Sequence, residues 1–180
     1  CGPGMSLVDK WMRLNSKNKI DKDGKIASKG NIKNQIVRDY IIKIYRLIDN
    51  YRGSLDISDF NLSLVKHLSL EDGAATLTEL TAVNTLNWLE RLTIEQPNLI
   101  LCGGGRKNKF LIERMNKNIA NNFQGFNLKM IDEFGVDGDF VESQAFAYLA
   151  IRSLINEPIS FPDTTGCSKP TTGGTIIKFK

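Results

Sequence analysis

The sequence is poor in the side chains that most often build metal and nucleophile sites. It holds a single histidine, His67, and only three cysteines among 180 residues. Cys1, Cys102 and Cys167 have no CxxC spacing, so they predict neither a zinc site nor a disulfide framework. A lone histidine also excludes a multi-histidine metal centre, and we expect no metal ligand set among these side chains.

Strong net charge and long apolar runs are missing as well. The formal net charge is +4, and the lysines are spread along the chain without a basic block, so no nucleic-acid partner is expected. No apolar stretch approaches the length of a membrane span and no signal-peptide pattern opens the chain, so we expect no membrane partner and a cytoplasmic location. A hydrophobic fraction of 41% is ordinary for a globular chain with its own core.

Glycine is concentrated at one informative place. The apolar run 99–101 and Cys102 precede Gly103, Gly104 and Gly105, and apolar residues recur at helical spacing after Asn108. This order predicts a strand, a tight turn and a helix. Glycine lets the backbone approach a ligand, and a helix N-terminus favours anions. Two interpretations stay open, a nucleotide contact at the strand tip or an ordinary turn, because neither a Walker loop nor GxGxxG spacing is present.

The remaining periodicity predicts an α/β chain with helices in the majority. Helices are expected over 6–14, 30–48, 70–92, a stretch ending near 121, and 139–155, with a further short helix ending at Leu68 and a strand over 127–131. Asp139 is expected to cap the last helix, Ser6 the first, and Cys102 to be a small buried residue. The Ala- and Phe-rich last helix is either core or a dimer seam, and 158–180 is an ordered loop or a mobile tail.

Several stretches, in this order, carry a resemblance to one enzyme family. They are 2–4 with Asp9 and Trp11, 21–24 through Gly30, 71–78, 101–105 with Asn108, 138–150, and 158–162 with 164–166 and 173–174. The chain resembles the anhydro-N-acetylmuramic acid kinases over nearly its whole length, but matches only the C-terminal half of the family's length.

The resemblance implies a fold and a reaction. The fold would be the C-terminal lobe of the helix-rich α/β sugar kinase/Hsp70/actin (ribonuclease H-like) ATPase fold, with 1–180 as one lobe and 158–180 as its loop-rich tail. Two such lobes close over ATP and Mg²⁺. The family opens the 1,6-anhydro ring of anhydro-N-acetylmuramic acid and phosphorylates O6 in bacterial peptidoglycan recycling. The implied partners are ATP, the anhydro-amino-sugar and the missing N-terminal lobe, with a homodimer left open.

The resemblance also implies site residues. Nucleotide binding falls on Gly103, Gly104, Gly105 and Asn108. The phosphate and substrate side falls on Gly2, Pro3, Gly4, Glu142, Thr165 and Gly166. The family's catalytic base would precede Cys1, so no catalytic residue is assigned.

The chain departs from the family pattern at functionally important places. Cys1 and Met5 replace the usual Thr and Asn, and 52–57 loses both basic residues of the matching family motif. Two hypotheses follow. The chain is the C-terminal part of a working kinase, or it is a degenerate split-gene lobe that folds but binds nucleotide weakly or not at all. In either case we expect no kinase activity from the chain alone, because in-line transfer needs both lobes.

Overall fold

Three α-helices precede the first strand in the computed structural model, which describes residues 4–50, 59–90, 98–123 and 125–177. The helices are Ser6–Asn15 (α1), Asn34–Asn50 (α2), Leu70–Glu90 (α3), Lys109–Asn122 (α4), Val141–Leu154 (α5) and Pro162–Thr165 (α6). The strands are Asn98–Leu101 (β1) and Asn127–Met130 (β2), and short 3₁₀ helices occupy Lys22–Gly24, Ala27–Lys29, Gly104–Lys107 and Ile131–Phe134. The prediction of a helix-rich α/β chain is confirmed.

The two strands pair in parallel, and helix α4 forms the crossover that connects them. Leu99 lies opposite Leu128, and Leu101 lies opposite Met130. Every residue of β1 and β2 is partly buried or exposed, although parallel sheets are normally covered on both faces. Leu99, Leu101 and Leu128 pack against a buried cluster of Ala82, Leu111 and Met115, so the described residues cover the sheet on one face and leave Ile100 exposed.

Helix α3 lies at the centre of the packing. Its residues 73–80 are buried without interruption, so the helix is enclosed on all sides. Its buried threonines have hydrogen-bond partners: the Thr78 hydroxyl donates to the Ala74 carbonyl at 2.8 Å, and Thr76 Oγ1 accepts from the Lys33 amide at 3.1 Å. Small residues and satisfied hydroxyls thus let a helix with few charges pass through the core.

Helix α1 packs on α3 through a ring-to-backbone contact. A Cβ at Gly73 would lie 2.4 Å from two ring carbons of Trp11, so only glycine leaves room for the indole. The Trp11 Nε1–H donates to the Leu70 carbonyl at 2.9 Å, which fixes the ring's orientation. Gly73 therefore sets how closely α1 approaches the central helix.

Helix α4 is fastened to α3 by a buried ion pair. Arg114 donates from Nε to Glu79 Oε2 at 2.6 Å and from Nη2 to Oε1 at 3.1 Å. Asn118 adds a third bond to the same carboxylate at 3.0 Å. The Glu79 side chain is 6% exposed, so its charge depends on these partners.

Several local predictions are wrong. Residues 61–68 form successive turns, with the Val65 amide bonded to the Leu62 carbonyl and Leu68 to Val65, rather than a helix. The residue that precedes α1 is Met5, and no side chain caps this helix. Cys102 is exposed, because β1 lies at the surface of the described structure rather than inside it. The predicted residues 2–3 and 52–57 lie outside the described ranges.

Helix α5 differs most from expectation. None of its residues is buried, and large side chains such as Phe146 (65% exposed) and Ile151 (60%) face outward. The interpretation of α5 as core is therefore wrong for the described chain. The following segment packs on it: the Ser153 hydroxyl donates to the Gly173 carbonyl, and Ser160 pairs with Thr171. None of the helices in the described ranges combines the length and apolarity needed to cross a membrane.

Gly73→Ala tests the contact between α1 and α3. Alanine favours a helix by about 1 kcal/mol over glycine. The clash with Trp11 costs about 1–3 kcal/mol because both ring and helix are fixed, so we expect a net loss in the free energy of unfolding. Urea denaturation measures it. Gly173→Ala is the control, because its Cβ would meet only Ile159 at 3.5 Å; a Gly73→Ala protein as stable as the control would contradict the packing account.

Candidate functional site

A cleft of about 950 Å³ lies between α1, the turn after β1 and the start of α5. Its lining includes five residues predicted to belong to a ligand site: Gly4, Gly104, Gly105, Asn108 and Glu142. The other polar residues of the lining are Ser6, Asp9, Asp21, Lys22, Asp23, Thr81, Thr85, Arg106 and Lys107. Segments far apart in sequence thus meet around one concave surface, as ligand sites require.

The glycine turn itself has one position that demands glycine and one that does not. Gly103 has φ +72° and ψ −174°, a conformation essentially restricted to glycine, and its N–H donates to the Gly138 carbonyl at 2.9 Å. A Cβ at Gly104 would meet nothing within 4 Å. Packing among the described residues therefore does not account for the glycine at 104, which faces the open cleft.

Asn108 has a structural role as the N-cap of α4. It precedes α4, is 5% exposed, and its Oδ1 accepts from the Leu111 amide at 2.9 Å, which caps the helix. A Cβ at Gly24 would lie 2.4 Å from the same Oδ1, so the 21–24 loop also packs against it. Gly104 and Gly105 belong to the 3₁₀ turn Gly104–Lys107, which stands between Gly103 and α4, so the helix does not open directly at the glycine turn as expected.

The 21–24 loop offers no metal cage. Both oxygens of the Asp21 carboxylate accept main-chain bonds, from Ile26 at 2.8 Å and from Ala27 at 2.9 Å. Among the described residues, no group of three or more His, Cys, Asp or Glu side chains is placed to hold a metal ion.

Arg106 lies at the meeting point of the turn and the segment before α5. It donates to Asp132 from Nε at 2.7 Å and Nη2 at 3.0 Å, and from Nη1 to Asp139 at 2.6 Å and the Gly103 carbonyl at 2.9 Å. These bonds lower the pKa of Asp132 to about 2 and also lower the pKa of Asp139, to which Lys107 contributes. The prediction that Asp139 caps α5 is wrong: its carboxylate binds Arg106 and Lys107, and α5 has no side-chain cap.

Glu142 lies in the first turn of α5, is exposed and lines the cleft. It forms no hydrogen bond or ion pair with any other residue in the described ranges. Its carboxylate is therefore available to a ligand.

Thr165 and Gly166 do not join this cleft. They end the short helix α6, where the Thr165 amide donates to the Phe161 carbonyl and Gly166, at φ +72°, donates to Pro162. Their local bonds explain both residues as a turn. A ligand role for them stays a prediction.

A family model described as anhydro-N-acetylmuramic acid kinase matches residues 1–179. The chain belongs to this family. Curated relatives of the same name include a Pelagibacter ubique protein, 42% identical over 98% of this chain, and a Brucella canis protein, 36% identical over 98%. A Zymomonas mobilis relative is 37% identical over 97%. The chain spans about half the length of the curated relatives it matches, 48% of the first and 47% of the second.

No site role is predicted for Asp9 from the sequence, but the residue lines the cleft. Burial raises the pKa of its carboxyl above the ordinary 3.8, and Arg13 offsets part of that effect. The hydroxyls of Thr81 and Thr85 donate to main-chain carbonyls and do not bind it. Asp9 thus has a desolvated carboxylate with no bonded partner in the described ranges, a common property of ligand-binding groups. One sequence signal could have indicated this role: Asp9 is an acidic residue in the first turn of α1, beside residues that pack in the core.

The pH dependence of the melting temperature of Asp9→Asn, compared with the parent, tests this desolvation. A folded-state pKa above the unfolded value means that the group favours folding at low pH and that this contribution is lost as pH rises through the folded pKa. We therefore expect the asparagine variant to melt at a higher temperature than the parent at pH 7, with the difference vanishing below pH 3.8, the ordinary value. Thermal melts across this range measure it. Exposed Asp39→Asn is the control, and an equal gain there would point to general charge effects.

Proposed function

We propose that the chain forms the C-terminal lobe of an ATP-dependent kinase that opens 1,6-anhydro-N-acetylmuramic acid and phosphorylates it to N-acetylmuramic acid 6-phosphate. The lobe would have the sugar kinase/Hsp70/actin fold and serve peptidoglycan recycling in the bacterial cytoplasm. The observation that carries the proposal is the cleft, in which Gly104 and Gly105 face the same space as Gly4 and Glu142.

The nucleotide side of the cleft is supported by its backbone and its cations. Gly104 leaves open space where any side chain would project, which suits close approach of a nucleotide. Lys22 and Lys107 line the same cleft and supply positive charge for phosphates. Mg²⁺ in such sites takes one or two carboxylates and completes its shell with phosphate oxygens and water. Asp9, a cleft carboxylate without a bonded partner in the described ranges, is the residue that would serve it.

The sugar side rests on Glu142. Its carboxylate can accept hydrogen bonds from sugar hydroxyls, because no residue in the described ranges occupies its oxygens. By family resemblance, the base that activates the attacking water would lie in the part of the relatives' length that the chain does not span. The chain would therefore bind and orient substrate, while the base and the first phosphate loop come from the other lobe.

Uncovered apolar surface supports the need for that other lobe. No residue of α5 is buried in the described structure, and Ile100, which alternates with the packed Leu99 and Leu101, is 42% exposed on the other face of β1. The curated relatives are about twice as long as the chain, so their other half is available to cover this surface. A second copy of the chain is the alternative occupant.

The second candidate function is a degenerate lobe that folds without binding nucleotide. Loss of the basic residues in the 52–57 motif and the replacements at Cys1 and Met5 favour it. The two candidates differ in one measurable property, nucleotide binding at the glycine turn.

Gly104→Val decides between them. Calorimetry of the purified chain with Mg²⁺ and ATP should give saturable binding that the valine variant loses by more than tenfold, since a Cβ at 104 projects into the cleft. Gly104→Ala should fall between the two. The fold tolerates both changes because no atom lies near, and Gly173→Ala, outside the cleft, is the matched control.

Unchanged affinity in the valine variant would remove the turn from the nucleotide site. Absence of binding in every form would favour the degenerate lobe. If Mg²⁺ links the phosphates to the cleft, omitting the metal should weaken ATP binding.

The chain alone should show no turnover, because the base and the first phosphate loop are supplied elsewhere. Adding the N-terminal half of the Pelagibacter ubique relative as a separate polypeptide should restore ADP release that depends on the anhydro-sugar. Glu142→Gln in the reconstituted pair should lower activity at least tenfold. ADP release by the chain without that half would contradict the proposal that the base and the first phosphate loop come from the other lobe.

A further inference from the structure

Arg106 is nearly enclosed although it borders the cleft. Its side chain is 7% exposed, and a buried guanidinium is tolerated only with several acceptors. Those acceptors come from three separate segments: the glycine turn, the 3₁₀ helix Ile131–Phe134 and the loop before α5. One side chain thus joins the two walls that carry the proposed nucleotide and sugar contacts.

The backbone is shaped to receive this side chain. A Cβ at Gly138 would lie 2.4 Å from Arg106 Nε and 2.6 Å from its Cζ, so only glycine admits the guanidinium. The Gly138 carbonyl in turn accepts from the Gly103 amide at 2.9 Å. The glycine turn and the residue one before Asp139 are therefore in direct contact, with Arg106 clamped across them.

Packing does not hold the start of α5 in place. The helix buries none of its residues in the described structure, so no apolar core fixes its N-terminal end. The polar junction at Arg106 is what connects that end to the cleft. Glu142 follows Asp139 by only three residues, so the junction also fixes the position of Glu142.

We propose that Arg106 is a positioning residue, whose guanidinium holds the Glu142-bearing start of α5 in a fixed place relative to the Gly103–Gly105 turn. The proposal rests on the proposed function only in treating these two walls as ligand-binding. Arginine is required because its planar fork donates to Asp132 and Asp139 at once, which a lysine ammonium on a flexible stem does not reproduce.

The junction also stays ionised over a wide pH range. Arg106 lowers the pKa of both carboxyls, most strongly through its own hydrogen bonds. Lys107 supplies a second cation to Asp139. Position is therefore set by charge-assisted bonds between groups that stay ionised at neutral pH.

Spin labels on both walls test the proposal directly. One label goes on Cys102, which is free and exposed beside the turn, and the other on Ile155→Cys, 62% exposed at the far end of α5. Cys1→Ser and Cys167→Ser remove the other thiols. Helix α5 spans about 21 Å, which separates the labels enough for pulsed electron spin resonance to give a distance distribution.

The parent should give one narrow distribution. Arg106→Gln should at least double its width, and Arg106→Lys should widen it to a smaller extent. Arg38→Gln is the control: it also replaces an arginine, but one that donates to Gln35 within α2 and lies outside the cleft lining, so it should leave the width unchanged. Circular dichroism confirms that each variant is folded, and the lysine variants at both positions replace any glutamine variant that is not.

Parent-like widths in the folded Arg106 variants would overturn the proposal, and so would equal widening in the Arg38 control. The measurement needs no ligand, so it decides the role of Arg106 whether or not ATP binds. Absence of ATP binding by the parent would count against the proposed function alone.

Discussion

The all-round burial of α3 is the constraint on which the rest of the structure depends. A helix enclosed on every side must present small residues wherever a neighbour approaches its backbone, and Gly73 does so beneath Trp11. It must also satisfy its hydroxyls internally, as Thr76 and Thr78 do. The position of α1, and with it Gly4 and Asp9 on one side of the cleft, follows from this packing. Thr81 extends the link by donating to the Gly4 carbonyl at 3.0 Å.

The other side of the cleft depends on the same helix through charge. Glu79 fastens α4 to α3 by way of Arg114, and removing either partner of such a buried pair costs about 3–5 kcal/mol because a charge is left without compensation. Asn108 caps α4 and so carries the glycine turn on that fastened helix. The cleft is thus built on rigid elements at the turn and at α1, whereas the α5 wall is attached mainly through Arg106.

This difference explains which features the sequence could predict. The strand, turn and helix around Gly103 are local patterns, and β1, β2 and α4 lie within one or two residues of their predicted places. Asp139 looked like a cap because only its neighbours in sequence were visible, while its partner Arg106 lies 33 residues away. The exposure of α5 was equally hidden, since its composition is that of a core helix. Of the predicted site residues in the described ranges, Gly4, Gly104, Gly105, Asn108 and Glu142 converge on the cleft. Gly103 lies beside its lining, and Thr165 and Gly166 serve a local turn.

Two features of the cleft have no explanation in packing. The glycine at 104 is not required by any neighbour, and the Asp9 carboxylate is desolvated without a bonded partner in the described chain. Neither contributes to stability, and the second opposes folding at neutral pH. Proteins tolerate such costs where a ligand offsets them, because a binding group must remain unsatisfied until the ligand arrives. Both features therefore favour a lobe that binds ligand over one that has only kept its fold, and they do so independently of the family's name.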